Sequence, residues 1–266
     1  MKNKISYIII FLVGLWLLTS VFANFFSAVS GNVALIPVKG IIITEGDNYQ
    51  MSTTSEEILR WIDHAEENPN IKAIVFEINS PGGGALAGKE IATRIEKIEK
   101  PTVAVIRDMG ASAGYLIAAS TDHIIADELS LTGSIAAVAS YLEFSGFLEK
   151  YNITYERLVS AEYKDMGNPL KKLSDKERQM LKSQLDLVHA YFVNTVAENR
   201  NLSIEFLNSL GGSFFLGMQA KEYGLIDSFG NVDSAKKYLE DNLNTTIEFH
   251  TYSRKKHFFN LISNSL

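Results

Sequence analysis

Two glycine-rich turns, each entered from a strand-like apolar run and left into a helix, constrain this chain more than any other feature. The first, Ser80-Pro81-Gly82-Gly83-Gly84, follows the Ile-Val-Phe run 71–78; the second, Gly110-Ala111-Ser112-Ala113-Gly114-Tyr115, follows the run 102–107. Strands that are apolar without alternation need cover on both faces, and a helix joining two parallel neighbours supplies it through a right-handed crossover. The rest of the chain keeps this rhythm. Residues 33–43 read as a strand that Pro37 restricts to an edge or a bulge. Thr54 and Glu57 form a capping-box pair ahead of Ile58, Trp61, Ile62 and Ala65 at helical spacing. Leu86, Ile91, Ile95 and Ile98 define the apolar face of the next helix. Residues 123–126 and 134–140 read as short strands, 141–150 as a helix and 155–160 as a further strand. Ser174 and Glu177 cap a long helix, with Leu181, Leu185, Val188, Phe192 and Val196 on one face and an end near Arg200. The expected class is α/β with a largely parallel sheet.

Composition narrows the function. At 266 residues and 46% hydrophobic the chain can bury a proper core. Cysteine is absent, which excludes thiol catalysis, Cys-ligated zinc, iron–sulfur clusters and disulfides. The net charge is −6 and no dense basic stretch is interleaved with aromatics, so nucleic acid is not an expected partner. No HExxH, G-x-G-x-x-G or G-x-x-x-x-G-K-[ST] pattern occurs, so neither a metal nor a nucleotide cofactor is expected.

The N-terminus carries its own signal. Residues 5–26 contain no charge and follow Lys2 and Lys4. A helix of that length reaches roughly 33 Å, enough for a bilayer core of about 30 Å. The two lysines orient it with the N-terminus in the cytoplasm, so everything from about Gly31 is expected to be extracytoplasmic. A cleaved signal peptide ending at Ala28-Val29-Ser30 is the competing reading, but the apolar run exceeds the usual signal core. Residues 1–30 are therefore read as cytoplasmic stub and transmembrane anchor, 31–240 as the folded domain and 241–266 as a C-terminal tail. Arg254, Lys255 and Lys256 ahead of Phe258, Phe259, Leu261 and Ile262 make the end of that tail either a membrane-touching segment or a packing element.

Binding crevices of open α/β sheets lie at strand-to-helix turns. The first glycine turn lets backbone N–H groups approach a ligand. The second exposes the Ser112 hydroxyl with N–H groups behind it, as a nucleophile beside an oxyanion hole requires. Such a serine needs a base. Of the five histidines, His64 and His189 fall on helices, His250 and His257 in the tail, and His123 in a short strand, where a core or surface role suits it better. A desolvated lysine is the other option. Lys164, in the polar loop Ser160-Ala161-Glu162-Tyr163-Lys164-Asp165-Met166-Gly167-Asn168-Pro169, is the candidate, although composition alone makes it an exposed loop lysine.

Four motifs in order resemble one family: Asn79-Ser80-Pro81-Gly82-Gly83, Gly110-Ala111-Ser112-Ala113-Gly114-Tyr115, Thr132-Gly133-Ser134-Ile135, and Tyr163-Lys164-Asp165 placed 52 residues after the serine. They are similar to the short, single-domain signal peptide peptidase A (SppA) serine proteases of the ClpP/crotonase-fold group, over residues 33–230 and the anchor. The resemblance implies a Ser–Lys dyad, with Ser112 as nucleophile and Lys164 as general base. It implies an oxyanion hole from the N–H groups of Gly83 and Ala113, with Gly82 as the alternative to Gly83 because Gly84 adds a third glycine. It also implies a homo-oligomeric ring or dome, serine and lysine coming from neighbouring subunits, and cleaved signal peptides or other short apolar peptides as substrates. A ClpP-type triad is disfavoured, because its histidine would fall near Ala137. The rival readings are a stomatin-operon type membrane Ser–Lys protease, whose serine–lysine interval is shorter, a crotonase-type acyl-CoA enzyme, and an inactive peptide-binding scaffold.

Overall fold

The computed structural model describes residues 12–14, 31–46 and 52–253. Its centre is a mostly parallel sheet built from β1 (Val33–Ile43), β2 (Ser52–Thr54), β3 (Ala73–Gly83), β4 (Thr102–Ala111), β5 (His123–Ala126) and β8 (Ser228–Phe229), in the order β2-β1-β3-β4-β5-β8. β6 (Leu131–Gly133) continues beside the end of β4 and pairs antiparallel with β7 (Phe214–Leu216), while β9 (Phe249–Thr251) pairs with the start of β1.

The doubly covered sheet explains the unbroken apolar runs. Ile74, Phe76 and Ile78 of β3 face a core completed by Ile58 and Ile62 of α1 (Ser55–Glu67), Ile91 and Ile95 of α2 (Ala85–Ile95) and the whole of α3 (Ala113–Ala119). Ala73 and Val75 point the other way, into a second cluster with Val103, Val105 and Ile125 under Ala235 and Leu239 of α8 (Val232–Leu243). Each strand thus contributes alternate residues to two dry interfaces, worth about 1.5–3 kcal/mol per fully buried large side chain. Tyr115 of α3 is fully buried and donates its hydroxyl hydrogen to the Leu225 carbonyl at 2.8 Å, which ties the helix after Ser112 to the C-terminal part of the fold.

Pro37 lies where its missing N–H costs nothing. On the outer side of β1, β9 pairs with Val33, Ala34 and Leu35 and β2 with Ile41, Ile42 and Ile43, so the proline falls in the gap between them. A register shift between Lys39 and Ile41 against β3 follows at once.

Several expectations are corrected. β3 does not stop at residue 78 but runs through the glycine turn to Gly83, because Ile41 and Ile42 of β1 continue to pair with Gly82 and Gly83. Residues 134–140 are not a strand; the positive φ values of Gly133 (85°) and Ser134 (52°) turn the chain off the sheet, and Val138 is 87% exposed. Residues 155–160 are likewise not a strand, and the expected helix over 141–150 is confined to α4 (Ser145–Lys150). Leu86 opens α2 but lies exposed rather than on its buried face.

The long helix α5 (Asp175–Arg200) begins with the expected capping box, and its buried residues are Glu177 in that first turn and Phe192, Val193, Thr195 and Val196 in its last third. Its first four turns project from the body together with residues 137–174. α6 (Ile204–Ser209) and α7 (Gly217–Glu222) complete the path to β8. Of the expected anchor over residues 5–26, only the helical residues 12–14 are described; the rest of that run, and the tail residues 254–266, lie outside the described residues. Among the described residues no helix is long and apolar enough to cross a membrane.

Candidate active site

Ser112 stands where β4 ends and α3 begins, and its backbone is held at φ 51°, ψ −124°. This positive φ is an uncommon conformation for a residue with a Cβ, and holding it costs on the order of 1–3 kcal/mol. The surroundings impose it. The Ser112 N–H donates to the Gly133 carbonyl at 2.9 Å, and the Ser112 carbonyl accepts the first helical bond from the Leu116 N–H at 2.9 Å. β6 is fixed in turn by the Thr132 hydroxyl, which donates to the Gly110 carbonyl at 2.8 Å. The serine side chain is left half-buried at the turn, with the Ala113 N–H in the first helical position, where no helical carbonyl can receive it.

The first glycine turn lies against this serine. A Cβ on Gly82 would come within 2.7 Å of the Ser112 Cβ and 3.0 Å of the Ala113 N. Glycine at 82 therefore keeps open the space in front of both groups. Three successive N–H groups of the turn have different fates. Gly82 donates to the buried Ser80 hydroxyl at 3.0 Å, and Gly84 donates to the Ile42 carbonyl at 2.8 Å. Alternation along the strand directs the Gly83 N–H between them away from β1, to the side on which Ser112 lies. Ser80 is fixed by donating to the Gly40 carbonyl at 2.6 Å. Gly82→Ala is expected to lower kcat/KM at least tenfold, since the methyl intrudes on the nucleophile and φ is +106° there. Steady-state kinetics beside a melting curve checks it; unchanged kcat/KM would show that this space is not used.

Lys164 lies elsewhere. It sits in a turn over residues 161–167, its N–H donating to the Ala161 carbonyl at 3.2 Å, and its side chain is exposed with no ion pair or hydrogen bond among the described residues. No hydrogen bond joins Lys164 to Ser112 among the described residues: the contacts given for the serine come from β3, β4, β6 and α3. The turn belongs to the projecting part of the molecule, whose Val138, Leu142, Leu158 and Leu187 are all more than 70% exposed.

His123 occupies a structural position, as its sequence context suggested. It pairs with Val103 at the start of β4, nine residues before Ser112 on the neighbouring strand and so at the other end of the sheet. Its ring stacks on Tyr238 at 4.0 Å, its Nε2 lies 2.9 Å from the Ser228 Oγ, and burial pushes its pKa down. The nearby Asp227 is half-buried. Burial disfavours its charge, but two hydrogen bonds from Arg200 and one from the Ile124 N–H hold its carboxyl below the ordinary range.

Two features were missed in the sequence. Ser134 shares with Ser112 a positive φ beside β6, its N–H donating to the Ser213 carbonyl at 2.8 Å; its place in Thr132-Gly133-Ser134-Ile135 was the available signal. Around Lys164, Asp165 takes a two-pronged ion pair from Arg157, which only its place beside the lysine could have suggested.

Fold and site together define a ClpP-like α/β protein with a serine on a strained strand-to-helix turn facing a glycine loop. Residues 94–246 match peptidase family S49, and residues 34–126 match the Clp protease family. The chain belongs to peptidase family S49, the family of SppA-type serine peptidases. It is 33% identical over 228 residues to the "Putative signal peptide peptidase SppA" of Enterococcus faecium, covering 82% of this chain and 66% of that one. It is 30% identical over 200 residues to the "Putative protease MJ0651" of Methanocaldococcus jannaschii, covering 74% of this chain and 64% of that one. The chain thus spans just under two thirds of the length of these relatives. Among solved structures, the 1510-N membrane-bound stomatin-specific protease superposes with a TM-score of 0.54 at 16% identity, over 84% of this chain and 98% of that one, which is a likeness of fold.

Proposed function

We propose that this chain is a membrane-anchored serine endopeptidase with a Ser112–Lys164 dyad, acting on cleaved signal peptides and other short apolar peptides. The observation that carries the reading is Ser112 itself, held at φ 51° between a glycine loop and the free first N–H of a helix. Neutral Lys164 takes the hydroxyl proton as the Ser112 Oγ bonds to the substrate carbonyl carbon. The resulting oxyanion accepts hydrogen bonds from the Gly83 and Ala113 N–H groups; Gly83 is preferred over Gly82 because the Gly82 N–H is engaged by Ser80. Collapse breaks the C–N bond, and Lys164 passes the proton to the leaving amine. Water then attacks the acyl ester, giving its proton to Lys164, which returns one to the Ser112 Oγ. The small residues Gly110, Ala111, Ala113 and Gly114 around the serine favour small or apolar side chains at the cleaved bond.

The lysine is supplied by the neighbouring subunit of a homo-oligomeric ring or dome. Two observations support this: Lys164 is exposed and makes no hydrogen bond to Ser112 among the described residues, and the part carrying it exposes large apolar side chains that a second copy would cover. The charge-free run over residues 5–26, with Lys2 and Lys4 before it, supports a single-pass anchor with the N-terminus cytoplasmic and the peptidase domain outside. Mixing tests the shared site. Ser112→Ala and Lys164→Ala chains are each inactive alone, and random co-assembly of equal amounts restores up to about a quarter of the sites if serine and lysine come from different chains. No recovery in verified mixed oligomers would contradict it.

A further inference from the structure

Lys164 is flanked on both sides by the same guanidinium. Arg157 donates through Nη2 to the Glu162 carbonyl at 2.6 Å, two residues before the lysine. It also grips the carboxylate of Asp165, the residue after it, through Nε at 2.9 Å and Nη2 at 2.8 Å. The chain of charges continues into the body of the arm. Lys171 Nζ lies 3.4 Å from the same Asp165 carboxylate and 2.5 Å from Glu177, and Glu177, 4% exposed, accepts from the Ser174 N–H and hydroxyl in the cap of α5. A second tether, from Asn168 Nδ2 to the Tyr155 hydroxyl at 2.6 Å, closes the turn from the other end. The side chain of the lysine between these pins makes no ion pair or hydrogen bond among the described residues.

Resting on the reading of Lys164 as the base, we propose that Arg157, Asp165, Lys171 and Glu177 form its positioning device. They fix the backbone on either side of Lys164 to the first turn of α5 and cancel the carboxylate that stands next to it. The cancellation matters chemically. A free carboxylate one residue away favours the ammonium form of a lysine, whereas a general base must be neutral. Two cations and two carboxylates make the network neutral overall, and the Arg157 hydrogen bonds, with Lys171 behind them, hold the Asp165 carboxyl down to about 2, so the balance persists across any assay pH. The other charged and titratable groups around the turn are Glu162 and Tyr163 within it, Tyr155 before it and Lys176 of α5, which lines the same hollow as Tyr163.

The test uses the full-length chain in detergent and a fluorogenic apolar peptide, with pH profiles of kcat/KM at low salt. Removing the cation and removing the carboxylate should shift the profile in opposite directions, which a merely structural role would not do. Arg157→Ala leaves only Lys171 against the Asp165 and Glu177 carboxylates, one net negative charge, and is expected to move the rise in activity about half a unit to higher pH. Asp165→Asn leaves the cations in excess and moves it about half a unit lower, and both shifts shrink as ionic strength rises. In each variant kcat falls about tenfold or more through misplacement of the lysine, with KM within about twofold. Arg157→Lys keeps the charge but loses the fork, so its kcat drops while its profile stays in place. Oligomer size and melting temperature are measured in parallel. Unmoved profiles in stable, assembled Arg157→Ala and Asp165→Asn chains would overturn the positioning device while leaving the dyad intact. Full activity in Lys164→Ala would overturn the dyad and the device together.

Discussion

Ser112→Ala is expected to lower peptide hydrolysis by on the order of 10⁶-fold, the scale seen when the nucleophile of a serine protease is removed. The fold should hardly register the change. No hydrogen bond among the described residues depends on the Ser112 Oγ, the contacts that impose the positive φ are backbone contacts to Gly133 and Leu116, and alanine keeps the Cβ. Melting temperature and oligomer size should therefore match the parent chain. Substantial residual turnover in a folded variant would move the nucleophile to another residue.

Lys164→Arg is expected to be as inactive as Lys164→Ala. An ordinary lysine, at about 10.4, is less than about 0.1% neutral at pH 7, so a lysine base must be desolvated in the assembled site, and arginine keeps its charge throughout this range. Position alone cannot rescue the variant. Activity of the parent enzyme should rise with pH without the histidine limb near 6.5 that an imidazole base would impose. His123→Ala should retain most activity, because its ring serves Tyr238 and Ser228 at the far end of the sheet. Activity in Lys164→Arg would exclude the lysine as base.

What the sequence made legible was whatever local chemistry determines. β-branched runs, capping boxes and glycine turns each encode their structure within a few residues, so β1, α1 and α5 appear where they were read and β3 and β4 begin near where they were read. The ends of β3 and the fate of residues 134–160 depend on pairing partners instead. Gly82 and Gly83 are strand because β1 reaches that far, and residues 155–160 are not strand because no neighbour receives them. Leu86, whose spacing matched a buried face, is exposed in the first turn of α2, just after the glycine loop. The serine and its glycine loop were legible because both are contiguous motifs on adjacent strand ends. Lys164 was legible only as a candidate, since nothing in its composition separates it from a surface lysine; the resemblance gave it the role of base, and in the single chain its side chain is exposed. The Arg157–Asp165 fork was invisible because an ion pair across eight residues of irregular chain has no periodic signature.

The dyad is tested most directly by covalent labelling. Full-length parent, Ser112→Ala and Lys164→Arg chains are exposed to a fluorophosphonate, and the modified residue is located by mass spectrometry. The account predicts an adduct on Ser112 in the parent, none in Ser112→Ala, and labelling in assembled Lys164→Arg slowed to near background. An adduct on another serine, or parent-rate labelling of Ser112 in Lys164→Arg, would contradict it.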